Sequence, residues 1–79
     1  MNLEIITPEK KLFEGEIRSV SLPGSKGAFT VLHNHAPIIS TLNKGQIKIT
    51  NKQSETEIIT IEGGIIEVKK NKIIILAEQ

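Results

Sequence analysis

Apolar and polar residues alternate at period two along much of this chain, and no stretch sustains the 3.6-residue period of an amphipathic helix. Gln46-Ile47-Lys48-Ile49-Thr50 is the cleanest instance, with both isoleucines on one face and polar groups on the other. Apolar-rich segments at residues 3–7 and 17–22 precede a turn at Pro23-Gly24, where proline presets φ and glycine supplies conformations other residues avoid. Further strands are expected at 28–32 and 38–42, separated by an irregular stretch at 33–37. Asn43-Lys44-Gly45 reads as a hairpin turn into the 46–50 strand, and the polar run 51–55 reads as a second hairpin tip, with 57–61 pairing back. Gly63-Gly64 suggests a bulge, a sharp bend or close approach of another backbone. Strands at 65–68 and 72–76, joined by a turn over 69–71, complete the pattern. The expectation is an all-β fold, a small flattened sandwich or barrel of about eight to ten short strands.

The 79 residues suffice for one domain, spanning 1–79, and are too few for two. A chain this short removes only about 60% of its unfolded surface from water, and without cysteine no disulfide supplements that margin. Isoleucine, valine and leucine supply most of the apolar content, with Phe13 and Phe29 the sole aromatics; branched aliphatics suit pleated, half-buried strands. Net charge is +1 with both signs interspersed, so the basic stripe and the stacking platforms of a nucleic-acid binder are missing. Met1-Asn2-Leu3-Glu4 lacks the layout of a secretion signal, and no apolar run approaches the ~20 residues of a membrane span. Direct membrane insertion is therefore not expected.

Several expected strands carry apolar residues on both faces: Ile5 and Ile6, Ile58 and Ile59, Ile65 and Ile66, and residues 73–75. Short strands buried at barrel corners have this composition, and so does a sandwich whose outer face is covered by a partner. Burying one isoleucine contributes about 1.5–3 kcal/mol, so three or four on an outer face are enough to hold an interface. Ile38 and Ile59 are taken as candidates for that outer face.

Candidate chemistry is sparse. His33-Asn34-His35 is the one cluster suggestive of a metal or catalytic base, but zinc needs a third or fourth protein ligand and none is spaced to supply it. Gly24-Ser25-Lys26-Gly27 lacks the spacing of a phosphate-binding loop, and no serine has a glycine-flanked elbow. Glu55 and Glu57 are most simply a solvated strand face. No catalytic residue, cofactor or metal ligand is assigned.

Three segments have a more specific character: Leu3-Glu4-Ile5-Ile6-Thr7-Pro8 followed by Leu12-Phe13-Glu14-Gly15; residues 22–32 leading into His35-Ala36-Pro37; and Ile61-Glu62-Gly63-Gly64-Ile65-Ile66-Glu67-Val68 followed by Asn71 and residues 73–76. In their order and spacing, over essentially the whole chain, they resemble the N-terminal β-sandwich of the epsilon subunit of F-type ATP synthase. The resemblance implies a non-catalytic rotor component of the F1 complex. It would bind the gamma subunit laterally, rest on the c-ring, and couple ion flow to ATP synthesis at the cytoplasmic face of a bacterial inner membrane. Carried over by position, Ser25, Lys26, Gly27, Ala28 and Phe29 would face the ring, and Thr7, His35, Ala36, Pro37 and Ser40 would lie toward gamma. Thr30 and His33-Asn34 depart from the family pattern, which favours a glycine and a Pro-Gly-like pair there, so the local backbone is expected to differ. Family members usually continue into a C-terminal helical hairpin that restrains ATP hydrolysis; the sequence given ends at Gln79, and hairpin-based inhibition is not assigned to it. The alternative from another class is a lipoyl- or biotinyl-type carrier domain displaying a lysine within Glu67-Val68-Lys69-Lys70-Asn71, although the flanking signature of such carriers is absent.

Overall fold

The computed structural model describes residues 1–79. It contains nine strands and no helix: β1 (Asn2–Ile6), β2 (Lys11–Glu16), β3 (Ser19–Leu22), β4 (Phe29–Val31), β5 (Ile38–Leu42), β6 (Gly45–Thr50), β7 (Thr56–Ile61), β8 (Gly63–Lys69) and β9 (Lys72–Glu78). They form a sandwich of two sheets, one of five strands in the order β2-β1-β9-β8-β5 and one of four in the order β4-β3-β6-β7. Only β1 and β9 run parallel, bringing the first and last strands together at the centre of the larger sheet.

The alternation decides which side chains go inside. Leu3 and Ile5, Ile73 and Ile75, and Ile66 and Val68 face the interior from the five-stranded sheet, and Val20, Val31, Ile47 and Ile49 meet them from the other. Sixteen buried apolar residues make one continuous cluster, with Phe13 and Phe29 packed half-buried against it. A core almost wholly of branched aliphatics fits strands this short, since each side chain fills one pleat and leaves no ring edge to accommodate.

Two features differ from the sequence reading. The segment Lys11–Glu16 is a strand, paired with β1 from Asn2↔Glu16 to Ile6↔Lys11. Its own signal is weak because Leu12 and Phe13 are adjacent, Gly15 interrupts it, and the register shifts between Ile5 and Ile6. Pairing with β1, the preceding strand across the turn at 7–10, fixes it rather than its own propensity. Residues 43–45 do not form a hairpin turn. Strand β5 pairs with β8, whereas β6 pairs with β3 and β7, so this connection carries the chain from one sheet to the other. Asparagine and glycine mark a change of direction, and they carry no information about which sheet the next strand joins. The expected hairpins at 51–55 and 69–71 are present.

Charge pairs gather at the β1–β2 edge. Lys11 Nζ lies 2.8 Å from Glu14 and 3.0 Å from Glu4, and the Met1 ammonium lies 3.4 Å from Glu16. The hydrogen bond from Lys11 holds the Glu14 carboxyl below its usual 4.5. For Glu16 partial desolvation acts upward, but the Met1 ammonium and Lys52 outweigh it and the net shift is down. Lys11 is raised above 10.5 by hydrogen bonds to Glu14 and Glu4. A carboxyl with a lowered folded pKa stabilises the fold above its unfolded value and loses that contribution as pH falls. A raised lysine stabilises below its unfolded value and loses it as pH rises. The urea midpoint is therefore expected to hold level between about pH 6 and 9 and to decline below about pH 4.5, modestly because the pairs are exposed. A midpoint that rose on acidification would contradict these pairings.

Candidate partner-docking surface

The two outer faces of the sandwich are unlike. On the five-stranded sheet the register sets Ile6 beside Leu76, Leu76 beside Ile65, and Ile65 beside Thr41. The adjacent row runs Glu4, Ile74, Glu67, Ile39. Ile39 is 74% exposed, Leu76 54% and Ile65 47%. Ile6, Thr7, Pro8, Thr41, Ile65 and Leu76 line an open groove of about 710 Å³ at one end of this face. On the four-stranded sheet the corresponding row is Thr30, Ser21, Lys48 and Ile58, flanked by Gln46 and Thr60, with Ile58 its one large apolar side chain. The first outer face is thus largely apolar at this end, and the second is largely polar apart from Ile58.

This resolves the two-faced strands. Ile5, Ile59, Ile66, Ile73 and Ile75 point inward, and Ile6, Ile58, Ile65 and Ile74 point outward. Ile38 and Ile59, taken from the sequence as outer-face candidates, are instead half-buried and packed on the core; the outward residues are Ile39 and Ile58. Parity counted back from buried Leu42, two residues per repeat, would have placed Ile38 inside.

The residues expected at partner contacts fall at opposite ends of the sandwich. Ser25, Lys26, Gly27 and Ala28 form the exposed β3–β4 turn, closed by the Gly27 N–H donating to the Gly24 carbonyl at 3.0 Å, with Gly27 at φ 127°. Phe29 opens β4 and lies half-buried over Gly24, where an added Cβ would meet its ring at 2.6 Å. Thr7 is 7% exposed, and its hydroxyl both donates to the Lys10 carbonyl and accepts from the Lys10 N–H, each at 3.1 Å. It closes a turn at the same end as the Ser25 loop. His35, Ala36 and Pro37 stand at the other end, beside Lys70 and Asn71. The His35 Nδ1–H donates to the Ala36 carbonyl at 2.7 Å, and the His35 N–H to Leu32 at 3.1 Å, which stiffens the corner ahead of β5. Ser40 lies on the inward parity of β5, opposite Ile66, with its hydroxyl on the Thr41 carbonyl. Asn34, at the family-divergent position, has φ 65°, a left-handed conformation that asparagine tolerates better than most residues. His33 and His35 lie in this loop, off any strand, and no third ligating side chain joins them. The apolar row Ile6–Leu76–Ile65 and Ile39 were not singled out as site residues from the sequence, because only pairing across four strands brings them together.

Residues 1–79 match the family described as ATP synthase, Delta/Epsilon chain, beta-sandwich domain. The ATP synthase epsilon chain of Leptospira borgpetersenii is 45% identical over 78 residues, 99% of this chain and 61% of that protein. That of Chlorobaculum tepidum is 42% identical over 77 residues, 98% of this chain and 88% of that protein. The chain thus spans about three fifths of its Leptospira relative and most of its Chlorobaculum one. The fold recurs in a chain of the Euglena gracilis mitochondrial ATP synthase OSCP/F1/c-ring assembly, with TM-score 0.91 at 16% identity, covering 98% of this chain and 49% of that one. A chain of the Tetrahymena thermophila mitochondrial ATP synthase central stalk and c-ring superposes with TM-score 0.81 at 17% identity, covering all of this chain and 63% of that one. By the full-length family match and these relatives, this chain belongs to the ATP synthase delta/epsilon family, as its β-sandwich domain.

Proposed function

We propose that this chain is a non-catalytic rotor element of an F-type ATP synthase, held peripherally at the cytoplasmic face of a bacterial inner membrane. It docks on the gamma subunit through the apolar outer face of its five-stranded sheet and the 35–37 corner. The turn at 25–29 rests on the c-ring. Through these contacts it passes the ring's rotation to the stalk, and so couples ion translocation to ATP synthesis on other subunits. The observation that carries the reading is the asymmetry of the two faces: Ile39, Ile65 and Leu76 exposed on one, and on the other a row that is polar except for Ile58. A rigid sandwich with short turns loses little freedom on docking, which suits an element that must transmit torque. The family match spans every residue on which the carrier-domain alternative relied.

Mixing the chain with its cognate gamma subunit is expected to give an equimolar complex on size exclusion. Failure to bind, with the chain shown folded by circular dichroism, would overturn the reading. The carrier alternative predicts a fixed mass increment on a lysine, and an unmodified intact mass is expected.

A further inference from the structure

The turn at residues 24–28 has little of its own to hold it. Its hairpin rests on three residue pairs, Val20↔Val31, Ser21↔Thr30 and Leu22↔Phe29, and β4 is a three-residue edge strand. Four of its residues are exposed and one is a left-handed glycine. Such a tip would ordinarily be the first part of the domain to open.

A latch to the other sheet restrains it. Gly24 forms a bridge with Leu42, the Ser25 N–H donates to the Thr41 carbonyl at 3.0 Å, and the Asn43 N–H donates to the Pro23 carbonyl at 2.7 Å. Side chains continue the connection as a relay. The Thr41 hydroxyl donates to Ser25 Oγ at 2.8 Å, and the Ser25 hydroxyl donates to Asn43 Oδ1 at 3.2 Å. Donors aligned in series polarise one another, so the relay is stronger than its separate bonds. Thr41 also occupies the outer face of β5, one alternation from Ile39. The turn and the apolar face therefore meet on one strand.

We propose that Thr41 and Asn43 are positioning residues that act through Ser25 to hold this turn in the pose it presents to its partner, so that a load on the turn passes directly into β5. The inference rests on reading the turn as the ring contact, and the two can fail separately. The test compares Thr41→Val, which keeps the branched shape and removes the donor, with Thr41→Ser, which restores it. Amide exchange is followed in this chain and affinity is measured for purified c-ring. In Thr41→Val, exchange at Ser25 and Gly27 is expected to rise about five- to tenfold while Ile47 and Ile49 are unchanged, and ring affinity to fall by a similar factor, as loss of one net hydrogen bond implies. Thr41→Ser should return both to the wild-type values. Unchanged exchange at Ser25 and Gly27 overturns the inference. So does faster exchange with undiminished ring affinity. If the wild-type chain does not bind the ring, the ring contact under the proposed function falls, and the exchange comparison alone decides whether the latch positions the turn.

Discussion

Gly64→Ala is expected to destabilise this domain by about 2–3 kcal/mol, whereas Gly63→Ala, one residue earlier, should cost well under half as much. A Cβ on Gly64 would stand 2.5 Å from the Leu76 carbonyl oxygen and 3.3 Å from Ala77 Cα. Both are backbone atoms of β9, the neighbouring strand, and neither can rotate away. Relief requires β8 and β9 to separate at Gly64↔Ala77, in the middle of the larger sheet, where β5 also pairs through Leu42↔Gly64. A Cβ on Gly63 meets Glu78 Oε1 at 3.0 Å, the far end of an exposed flexible side chain that swings out at small cost. For a domain this size the Gly64 substitution corresponds to a fall in Tm of roughly 10–20 °C. Thermal melts followed by circular dichroism check both variants side by side. Equal melting temperatures for the two would refute the close strand approach.

That pair of glycines also shows where the sequence was legible. A double glycine between apolar runs announced a bend or a close backbone, and the structure supplies the close approach at the second glycine. Period-two alternation located eight of the nine strands, because a half-buried strand must present every second side chain to the core. It missed Lys11–Glu16, whose strand character comes from pairing with β1. The alternation also could not say which sheet a strand joins. Asn43 and Gly45 therefore looked like a hairpin when they carry the chain between sheets. The apolar outer face was half visible. Adjacent isoleucines signalled strands apolar on both sides, but only cross-strand register places Ile6, Leu76 and Ile65 in one row. The latch from Thr41 to Ser25 had no signal at all, since the two lie sixteen positions apart in elements of different sheets.

The larger functional effect is expected at that face. Ile39→Asp and Leu76→Asp should each weaken binding to the gamma subunit by roughly 30- to 100-fold, the range of a central apolar anchor in an interface. Ile58→Asp should leave binding within about twofold, as for an exposed residue outside the contact. All three side chains are more than half exposed in this structure, at 74%, 54% and 55%, so a carboxylate at any of them reaches water and the sandwich keeps its fold. What separates them is their surroundings. Leu76 faces Ile65 and follows Ile74 on the outer face of the five-stranded sheet, and Ile39 lies diagonal to Ile65, so a partner covering that area would strand the new charge without water. Glu67 stands between Ile74 and Ile39 in the same row, and a further carboxylate there adds repulsion between like charges. Ile58 instead sits opposite Lys48 among threonines and serine, where an aspartate finds a counter-charge in an open, wet surface. Titration of each folded variant against gamma by calorimetry separates the cases. An equal loss from Ile58→Asp would move the interface to the other sheet, and full binding by both Ile39→Asp and Leu76→Asp would remove the physical basis for docking through this face.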